Sequence, residues 1–286
     1  MLTMKDTVLL SPSELKELSK NSSLSIIDTR KEIDYLMGHI PGAINIHSIF
    51  TYLVTEENGG LEAFSQTFVK EFSEAGIKNT DFIVVYEDTL ANGYGQSCRG
   101  YFILRYLGHE NVLILHGGYA AWLNEGYEIT KDIPMRERAE FGLTVNKSIL
   151  ATKQEVKTAI AETGTIILDC RDREEWVGAS SSPYGKEFCP RKGRIPGAVW
   201  LEWYRLMDYH SEIPFFKGSE AIREQCEKVG ITSESKVIVY CFKGSRASNT
   251  LVALHLAGIR DIKNYFASWN EWSNDFLMPI DKELLD

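Results

Sequence analysis

The stretch Lys236-Val-Ile-Val-Tyr-Cys241-Phe-Lys-Gly-Ser-Arg246 passes from one secondary-structure pattern to another within a few residues. Val237 to Tyr240 is short, apolar and rich in β-branched residues, which is typical of a buried parallel strand. Three apolar residues then fall on one helical face: Ala247, Leu251 and Leu254. Gly258 suits the end of that helix. Cys241 is therefore predicted between the carboxyl end of a strand and the amino end of a helix, where open α/β sheets bind ligands.

The segment from Cys241 to Arg246, called the 241–246 loop below, has the composition of a small anion site. Unpaired N–H groups at a helix amino end favour an anion, a thiolate included. Gly244 relaxes the limits on φ, and Lys243 and Arg246 add positive charge. A cysteine in such surroundings has a lowered pKa and is nucleophilic. We predict that Cys241 is catalytic and that the rest of the loop binds substrate: Phe242, Lys243, Gly244, Ser245 and Arg246.

Two chemistries use a thiolate at the base of an anion cradle. One is attack on the sulfane sulfur of an anionic donor, and the other is attack on phosphate. Cysteine phosphatases place five residues between the cysteine and the arginine, whereas only four separate Cys241 from Arg246. The shorter loop favours a smaller atom, such as the terminal sulfur of a persulfide. The alternative without function is a small buried hydrophobic cysteine, which the Gly, Lys and Arg that follow do not favour.

Most of the sequence consists of two similar copies, and an internal repeat of this kind indicates a repeated structural unit. The matching segments are, in order, Ser11–Leu15 with Thr152–Val156, Ile26–Arg30 with Ile167–Arg171, Gly38–Ala43 with Gly193–Ala198, and Val84–Tyr86 with Ile238–Tyr240. Each copy alternates strands with helices, which predicts an α/β fold with a parallel sheet and helices on both faces. We predict a first domain over residues 1–130, a linker over 131–147 and a second domain over 148–286.

Composition narrows the class of protein. A length of 286 residues suits two hydrophobic cores. The net charge of −9 argues against nucleic acid or an anionic membrane as the main partner. Neither a membrane-length apolar run nor a signal peptide is evident, so a cytoplasmic protein is expected. The five cysteines are odd in number and form no CxxC pair, which argues against a disulfide framework or a zinc site. We expect no metal and no organic cofactor.

The 241–246 loop resembles the active-site loop of rhodaneses, the thiosulfate and 3-mercaptopyruvate sulfurtransferases. The Asp-x-Arg and Gly-x-Ile-Pro-Gly-Ala segments of both copies resemble the same family, and the two fused copies resemble its tandem subfamily. The resemblance implies two tandem rhodanese-like domains, with Cys241 carrying sulfur as a persulfide. In this family a Lys at the position of Lys243 goes with thiosulfate, whereas the mercaptopyruvate enzymes tend to have small residues there.

The two copies differ at the position of the nucleophile. Glu87 stands where the second copy has Cys241, and the segment that follows it, the 87–95 loop, is longer and acidic. We expect this loop to hold no anion comfortably. Cys98 lies in the following helix instead of at the base of the loop. The first domain is therefore predicted to be catalytically silent, as in other tandem rhodaneses, and to pack on the second domain.

Arg171 ends the strand beside the catalytic one and is a further candidate substrate-binding residue, with an internal salt bridge as the alternative. Vertebrate family members carry a substrate-binding arginine six residues after the Asp of the Asp-x-Arg motif, but here that residue is Glu175. A longer segment in the second copy, residues 177–192, offers compensating cations in and just after it: Lys186, Arg191, Lys192 and Arg194. Each of these is also compatible with a solvated loop.

The residues and the resemblance together predict a thiosulfate sulfurtransferase. Cys241 attacks the outer sulfur of thiosulfate, sulfite leaves, and a thiophilic acceptor takes the sulfur in a ping-pong scheme. The acceptor is cyanide, a thiol or a protein. The alternatives are a 3-mercaptopyruvate sulfurtransferase, a cysteine phosphatase or arsenate reductase, and a non-catalytic binding module or sulfur-carrier partner.

Overall fold

The computed structural model of the chain describes residues 8–20, 23–90 and 92–282. The chain divides into two units. The first comprises the residues up to Tyr52 together with Glu62–Asn146 and Tyr209–Phe215. The second comprises Leu53–Leu61, Lys147–Asp208 and the chain from Phe216 onward. Leu53–Leu61 thus belongs to the second unit although it lies in the first half of the sequence. Tyr209–Phe215 belongs to the first unit although it lies in the second half.

The first unit is built on a parallel sheet of five strands. Its strands are β1 (Leu9–Leu10), β2 (Leu24–Asp28), β3 (Ala43–Asn45), β4 (Phe82–Tyr86) and β5 (Val112–Leu115), in the spatial order β1-β5-β4-β2-β3. The central strands β2 and β4 are almost continuously buried. Sheets that are covered on both faces need such apolar strands, and this explains why the strands read as apolar runs rather than as alternating patterns.

Helices cover both faces of this sheet. They are α1 (Pro12–Leu18), α2 (Glu32–Met37), α3 (Ser48–Thr51), α4 (Gly60–Glu74), α5 (Gln96–Tyr106) and α6 (Gly118–Asn124). Phe64, Phe68 and Phe72 follow one another at a spacing of four along α4, so they share a helix face. All three are fully buried, with ring centroids 5.2 and 5.8 Å apart. This aromatic row is the core on its side of the unit.

The second unit repeats the design with a parallel sheet of four strands. Its strands are β6 (Thr165–Asp169), β7 (Val199–Trp200), β10 (Lys236–Tyr240) and β11 (Ile262–Asn264), in the spatial order β11-β10-β6-β7. Two short strands, β8 (Met207–Asp208) and β9 (Phe215–Phe216), pair with each other outside this sheet. Its helices are α7 (Lys153–Ala161), α8 (Arg173–Trp176), α9 (Ser219–Glu227), α10 (Ser245–Leu256) and α11 (Ser268–Asn274). Strand β10, which ends at the 241–246 loop, is central and pairs with both β6 and β11.

The sequence repeat corresponds to repeated structural devices. Ser11 and Thr152 each form a capping box with the glutamate three residues later, as the sequence predicts. In the first unit the Arg30 side chain donates hydrogen bonds to the Asp28 carboxylate and, at 2.8 Å, to the Gly38 carbonyl. In the second unit the Arg171 side chain donates to the Asp169 carboxylate and to the Gly193 carbonyl, the latter also at 2.8 Å. The Asp-x-Arg motif is thus a buried clamp that ties a strand end to the Gly-x-Ile-Pro-Gly-Ala turn.

Residues 131–146, which are nearly all of the linker that the sequence predicts over 131–147, pack against the first unit. Phe141 is buried, with its ring centroid 5.1 Å from that of Phe72. Arg136 donates to the Ser25 hydroxyl at 2.7 Å. The segment contains neither a helix nor a strand. Its role as a connection between independently folding domains stays a prediction.

Within the described residues, every helix is too short or too polar to cross a bilayer.

Candidate active site

Cys241 lies where the sequence predicts it, between the end of β10 and the start of α10. Its side chain is buried, with 1 % of its surface exposed. Gly244 caps the helix with a φ of 89°, a value that favours glycine. A Cβ atom at Gly244 would also come within 2.5 Å of the Phe266 ring. The loop can therefore turn back over the Cys241 sulfur only because residue 244 has no side chain.

The loop is fixed in place by the chain that follows β11. The backbone N–H groups of Trp269 and Asn270 donate to the carbonyls of Cys241 and Phe242 at 3.0 and 2.9 Å. The backbone N–H of Cys241 donates to the Ser268 hydroxyl at 3.2 Å. Ser268 itself adopts a positive φ of 58° without being glycine, a conformation that persists only where surrounding contacts enforce it. The loop is thus a preorganised element.

The Cys241 sulfur lies among groups that stabilise negative charge. The backbone N–H of Gly244 donates to it at 3.1 Å. Burial alone would raise the pKa of the Cys241 thiol, but the Cys170 thiol, the Arg246 charge and the amides of Ala247 and Lys243 outweigh burial, so that this pKa lies well below its usual value. These groups favour the thiolate form of Cys241, which is the form that acts as a nucleophile.

Arg246 is held by carboxylates. Its guanidinium makes a bidentate pair with the buried Glu175 carboxylate, with N–O distances of 2.6 and 3.1 Å, and lies 3.1 Å from Asp172. Both terminal nitrogens are therefore engaged, and the predicted contact between Arg246 and the donor's oxygens is replaced by an internal tie. Its positive charge still acts on the thiolate. The pairing also explains Glu175, which departs from the family pattern because it is the counter-ion of Arg246.

Arg171 requires a correction. We predicted it as a candidate substrate-binding residue, but its side chain is fully buried and bound to Asp169 and to the Gly193 carbonyl. Its guanidinium also lies 4.5 Å from the centroid of the Trp269 ring. These contacts hold the strand end and the turn together. Arg171 is thus the internal salt bridge that the sequence left open as the alternative.

The longer segment of the second copy contributes aromatic rings to the 241–246 loop. The Tyr184 and Phe188 rings lie 5.0 and 6.4 Å from the Phe242 ring. The Lys243 ammonium lies 5.4 Å from the centroid of the Tyr184 ring. Lys243 is 8 % exposed, so it is a nearly buried cation within the loop instead of a solvated surface lysine.

Three of the four cations proposed as compensation have other partners. Arg191 donates to backbone carbonyls, among them those of Ser273 and Met278, and Lys192 donates to the Ala179 carbonyl. Arg194 pairs with Asp281 at 2.8 Å, and Lys186 is exposed. Arg191, Lys192 and Arg194 therefore have structural partners within their own unit. The 177–192 segment therefore contributes aromatic rings, those of Tyr184 and Phe188, to the surroundings of the 241–246 loop.

Cys170 is a neighbour of Cys241 that our sequence reasoning missed. It follows Asp169 at the end of β6, while Cys241 follows Tyr240 at the end of β10, and Asp169 and Tyr240 are register partners. The Cys170 thiol lies 3.1 Å from the Tyr240 carbonyl and also within hydrogen-bond reach of the Cys241 sulfur. The signal was present in the sequence, since a cysteine stands at or next to the predicted carboxyl end of each of the two strands.

Ser245 carries a further polar group at the loop. Its side chain is 4 % exposed and its hydroxyl has no hydrogen-bond partner among the described residues. Buried polar groups without partners are uncommon in proteins. The hydroxyl is therefore available to a bound anion.

The equivalent loop of the first unit is occupied by its own side chain. The Glu87 carboxylate accepts the Gln96 and Ser97 backbone N–H groups at 3.0 and 3.4 Å and the Ser97 hydroxyl at 2.6 Å, at the start of α5. Burial raises the pKa of Glu87 to about 7, against the lowering effect of these donors. The raised pKa agrees with the expectation that this loop holds no anion comfortably, because the carboxyl group that fills the loop is shifted toward its neutral form. Cys98 is buried within α5, away from the base of the loop.

No cluster of three or more His, Cys, Asp or Glu side chains within residues 8–20, 23–90 and 92–282 is arranged to hold a metal ion.

Comparison with known proteins identifies the family. A family model for the rhodanese-like domain matches residues 11–125 and 152–275. The chain belongs to the rhodanese-like family of sulfurtransferases. The two matched regions are the two copies of the repeat, so the predicted fold of two tandem rhodanese-like domains is confirmed.

Relatives over nearly the whole chain have different sulfur-transfer names. The sulfur carrier protein TtuD of Thermus thermophilus is 28 % identical, and the alignment covers 96 % of each chain. The thiosulfate sulfurtransferase of Pseudomonas aeruginosa is 26 % identical, with coverage of 96 % of this chain and 97 % of the relative. The thiosulfate sulfurtransferase of Bos taurus is 29 % identical over 86 % of this chain and 80 % of its own length.

Solved structures share the fold over the full chain. The wild-type structure of EanB superposes with a TM-score of 0.85 at 25 % identity and covers 100 % of this chain and 72 % of its own. The anaerobic ergothioneine biosynthesis enzyme from Chlorobium limicola, in complex with trimethyl histidine, has a TM-score of 0.84 at 24 % identity and covers 97 % and 71 % of the two chains. These structures therefore share the fold of this chain.

Proposed function

We propose that this protein is a thiosulfate sulfurtransferase in which Cys241 is the nucleophile. The observation that carries the proposal is the surroundings of the Cys241 sulfur: a buried thiolate under the Gly244 amide, at the amino end of α10, with Arg246 nearby. A preorganised set of donors around a position where negative charge resides is the arrangement that stabilises anionic intermediates.

The reaction has two steps. The Cys241 thiolate attacks the outer sulfur of thiosulfate, the bond between the two sulfur atoms of thiosulfate breaks, and sulfite leaves with the electron pair. Cys241 then carries a persulfide. A thiophilic acceptor, either cyanide or a thiol, attacks the outer sulfur of this persulfide and regenerates the thiolate. This covalent scheme predicts ping-pong kinetics.

Different groups of the 241–246 loop bind different parts of the donor. The amides of residues 242 to 246 and the Ser245 hydroxyl hold the transferred sulfur, and Lys243 meets the sulfonate charge of thiosulfate. Arg246 supports the thiolate electrostatically while it stays paired with Glu175. Arg171 is left out of the substrate contacts because it is buried in its own clamp.

The first domain is part of the same proposal. Glu87 supplies no nucleophile and occupies the amides that would hold a sulfur anion. We therefore assign all of the sulfur transfer to the second domain and regard the first as catalytically silent.

A second function has support from a relative. The similarity to the sulfur carrier protein TtuD makes a protein thiol a reasonable acceptor in place of a small molecule. In that case the Cys241 persulfide still forms, and only the second step differs.

The test is thiocyanate formation from thiosulfate and cyanide, with wild type beside Cys241→Ser and with 3-mercaptopyruvate as a parallel donor. We expect product from thiosulfate that disappears in Cys241→Ser. Product from 3-mercaptopyruvate alone would reject thiosulfate as the donor and the role given to Lys243. Equal activity in Cys241→Ser would reject the nucleophile.

A further inference from the structure

The proposed reaction uses one thiol, but the second unit places two at the same point. β6 and β10 are parallel neighbours, and Asp169 and Tyr240 are paired in register as their last residues. Cys170 and Cys241 come next on each strand. The backbone N–H of Cys170 donates to the Tyr240 carbonyl at 3.1 Å, so the ladder continues up to the two cysteines.

This arrangement brings the cysteines within the range of a disulfide. Neighbouring strands lie about 4.8 Å apart, and disulfides join Cα atoms that are about 4.4–6.8 Å apart. Paired residues on parallel strands direct their side chains to the same face of the sheet. The Cys170 thiol is within hydrogen-bond reach of the Cys241 sulfur, and both side chains are buried. The two sulfur atoms are thus held side by side out of solvent.

The first unit shows that the fold does not need a thiol at this position. Thr29 takes the place of Cys170, and its hydroxyl donates to the Tyr86 carbonyl at 2.8 Å. The Cys170 thiol makes the corresponding contact with the Tyr240 carbonyl. A hydroxyl therefore satisfies the same carbonyl in an otherwise matching strand end. The presence of cysteine beside the nucleophile calls for a chemical reason.

We propose that Cys170 is a resolving cysteine, which attacks the inner sulfur of a Cys241 persulfide and releases hydrosulfide. The proposal rests on the proposed function, because sulfur transfer from the donor supplies the persulfide. The bond between the Cys170 and Cys241 sulfur atoms forms, and the bond between the two persulfide sulfur atoms breaks. Cys170 is oxidised to the disulfide level, and the outer sulfur is reduced to sulfide.

The proton of the Cys170 thiol leaves together with the outer sulfur of the persulfide. The Cys170 thiol keeps its proton in the resting protein, because burial and the charge on Cys241 hold the pKa of Cys170 well above its usual value. In the persulfide the negative charge moves outward to the terminal sulfur. The Cys170 proton passes to that sulfur as it leaves as hydrosulfide. The loop amides that hold an anionic sulfur also stabilise the departing one.

The Cys170–Cys241 disulfide must be reduced before another cycle. A dithiol reductant, either a small dithiol or a protein dithiol, opens it by thiol–disulfide exchange and is itself oxidised to a disulfide. The persulfide thus has two outlets. An acceptor removes its outer sulfur directly, or Cys170 releases that sulfur as sulfide at the expense of a dithiol.

The test follows a single turnover of the full chain without oxygen and without acceptor. Reduced wild type, Cys170→Ser, Cys170→Thr and Cys226→Ala are each mixed with one equivalent of thiosulfate. Sulfite, sulfide and the intact mass are then measured. In wild type and Cys226→Ala we expect sulfide in step with sulfite and a Cys170–Cys241 disulfide in peptide maps. In both Cys170 variants we expect at least about tenfold less sulfide and a protein that is heavier by one sulfur atom.

A second arm separates this proposal from the proposed function. Inorganic polysulfide loads a reactive thiolate whether or not thiosulfate is a donor. After desalting, wild type should contain the disulfide, whereas Cys170→Ser should retain the extra sulfur. A wild-type protein that retains a stable persulfide in this arm overturns the resolving role of Cys170. Absence of sulfite from every protein in the thiosulfate arm overturns the donor instead, and the polysulfide arm still decides the role of Cys170.

Discussion

The 87–95 loop and the 241–246 loop share one backbone arrangement but surround different side chains. Each follows the last residue of a central strand, Tyr86 or Tyr240, and each leads into a helix capped by a glycine at positive φ, 79° at Gly95 and 89° at Gly244. In both, an acidic side chain from the end of the strand accepts a hydrogen bond from an amide at the start of the helix. The first loop presents the carboxyl group of Glu87 and the second the sulfur of Cys241.

The difference lies in what surrounds the anion. Arg246 lies near the Cys241 sulfur and is paired with Glu175. The corresponding residue of the first unit is Ser97, which donates its hydroxyl to Glu87. The second loop therefore has a cation beside its sulfur, whereas the amides of the first are occupied by the Glu87 side chain. A cradle of amides alone does not make an active site, because the nucleophile and a neighbouring positive charge must be present as well.

The largest expected effect comes from the capping glycines. Gly244→Ala forces a side chain into positive φ and into the Phe266 ring, a strain of about 1–3 kcal/mol or more. We expect sulfur transfer to fall at least about a hundredfold, since the loop amides move away from the sulfur. The matched control is Gly95→Ala in the first unit, which should lower the melting temperature but keep sulfur transfer. Equal losses of activity in both variants would contradict the assignment of catalysis to the second loop.

The next effect concerns the charge beside the thiolate. Arg246→Gln removes a positive charge that lowers the pKa of Cys241, so the pKa of Cys241 should rise. The rate of iodoacetamide alkylation against pH measures this change. The single variant also leaves the buried Glu175 carboxylate without its cationic partner, which costs about 3–5 kcal/mol of folding free energy.

The double variant Arg246→Gln/Glu175→Gln separates these two consequences. It should recover most of the stability, because no buried charge is left unpaired, while the pKa of Cys241 remains raised. An alkylation profile identical to wild type in the double variant would show that the loop amides alone set this pKa.

A smaller effect is expected at Glu87. Its folded pKa is raised to about 7, whereas an unfolded glutamate titrates near 4.3. Between these values the folded state keeps a proton that the unfolded state has lost, so the stabilising contribution present at low pH disappears as pH rises toward 7. Glu87→Gln removes this dependence.

Chemical unfolding at pH 5 and pH 7.5 tests the effect of Glu87. The free energy of unfolding of wild type minus that of Glu87→Gln should fall by about 2–3 kcal/mol between the two pH values. Glu56, whose pKa is also raised to about 7, is common to both proteins and cancels in the difference. A difference that does not change with pH would mean that Glu87 is ionised in the folded state throughout, and the contrast between the two loops would weaken.

Local sequence determined the elements and the position of the nucleophile. The strand pattern from Val237 to Tyr240, the helical spacing after Ala247 and the repeated Ser/Thr-x-x-Glu starts depend on neighbours a few residues away, so they could be assigned without a fold. The same holds for Cys241 at the strand–helix junction and for Glu87 in its place in the first copy. Family membership followed from these local motifs, and it is confirmed by the rhodanese-like match over both copies.

Tertiary structure alone decided which side chains meet. The Arg246–Glu175 pair joins residues 71 positions apart, and Cys170 lies beside Cys241 because β6 and β10 pair in register. Arg171 could face a substrate or a carboxylate, and burial of the Asp-x-Arg clamp selected the carboxylate. Sequence periodicity reports the face on which a residue lies, but not the partner across a sheet. That partner is set by strand order and register, which the whole core fixes together.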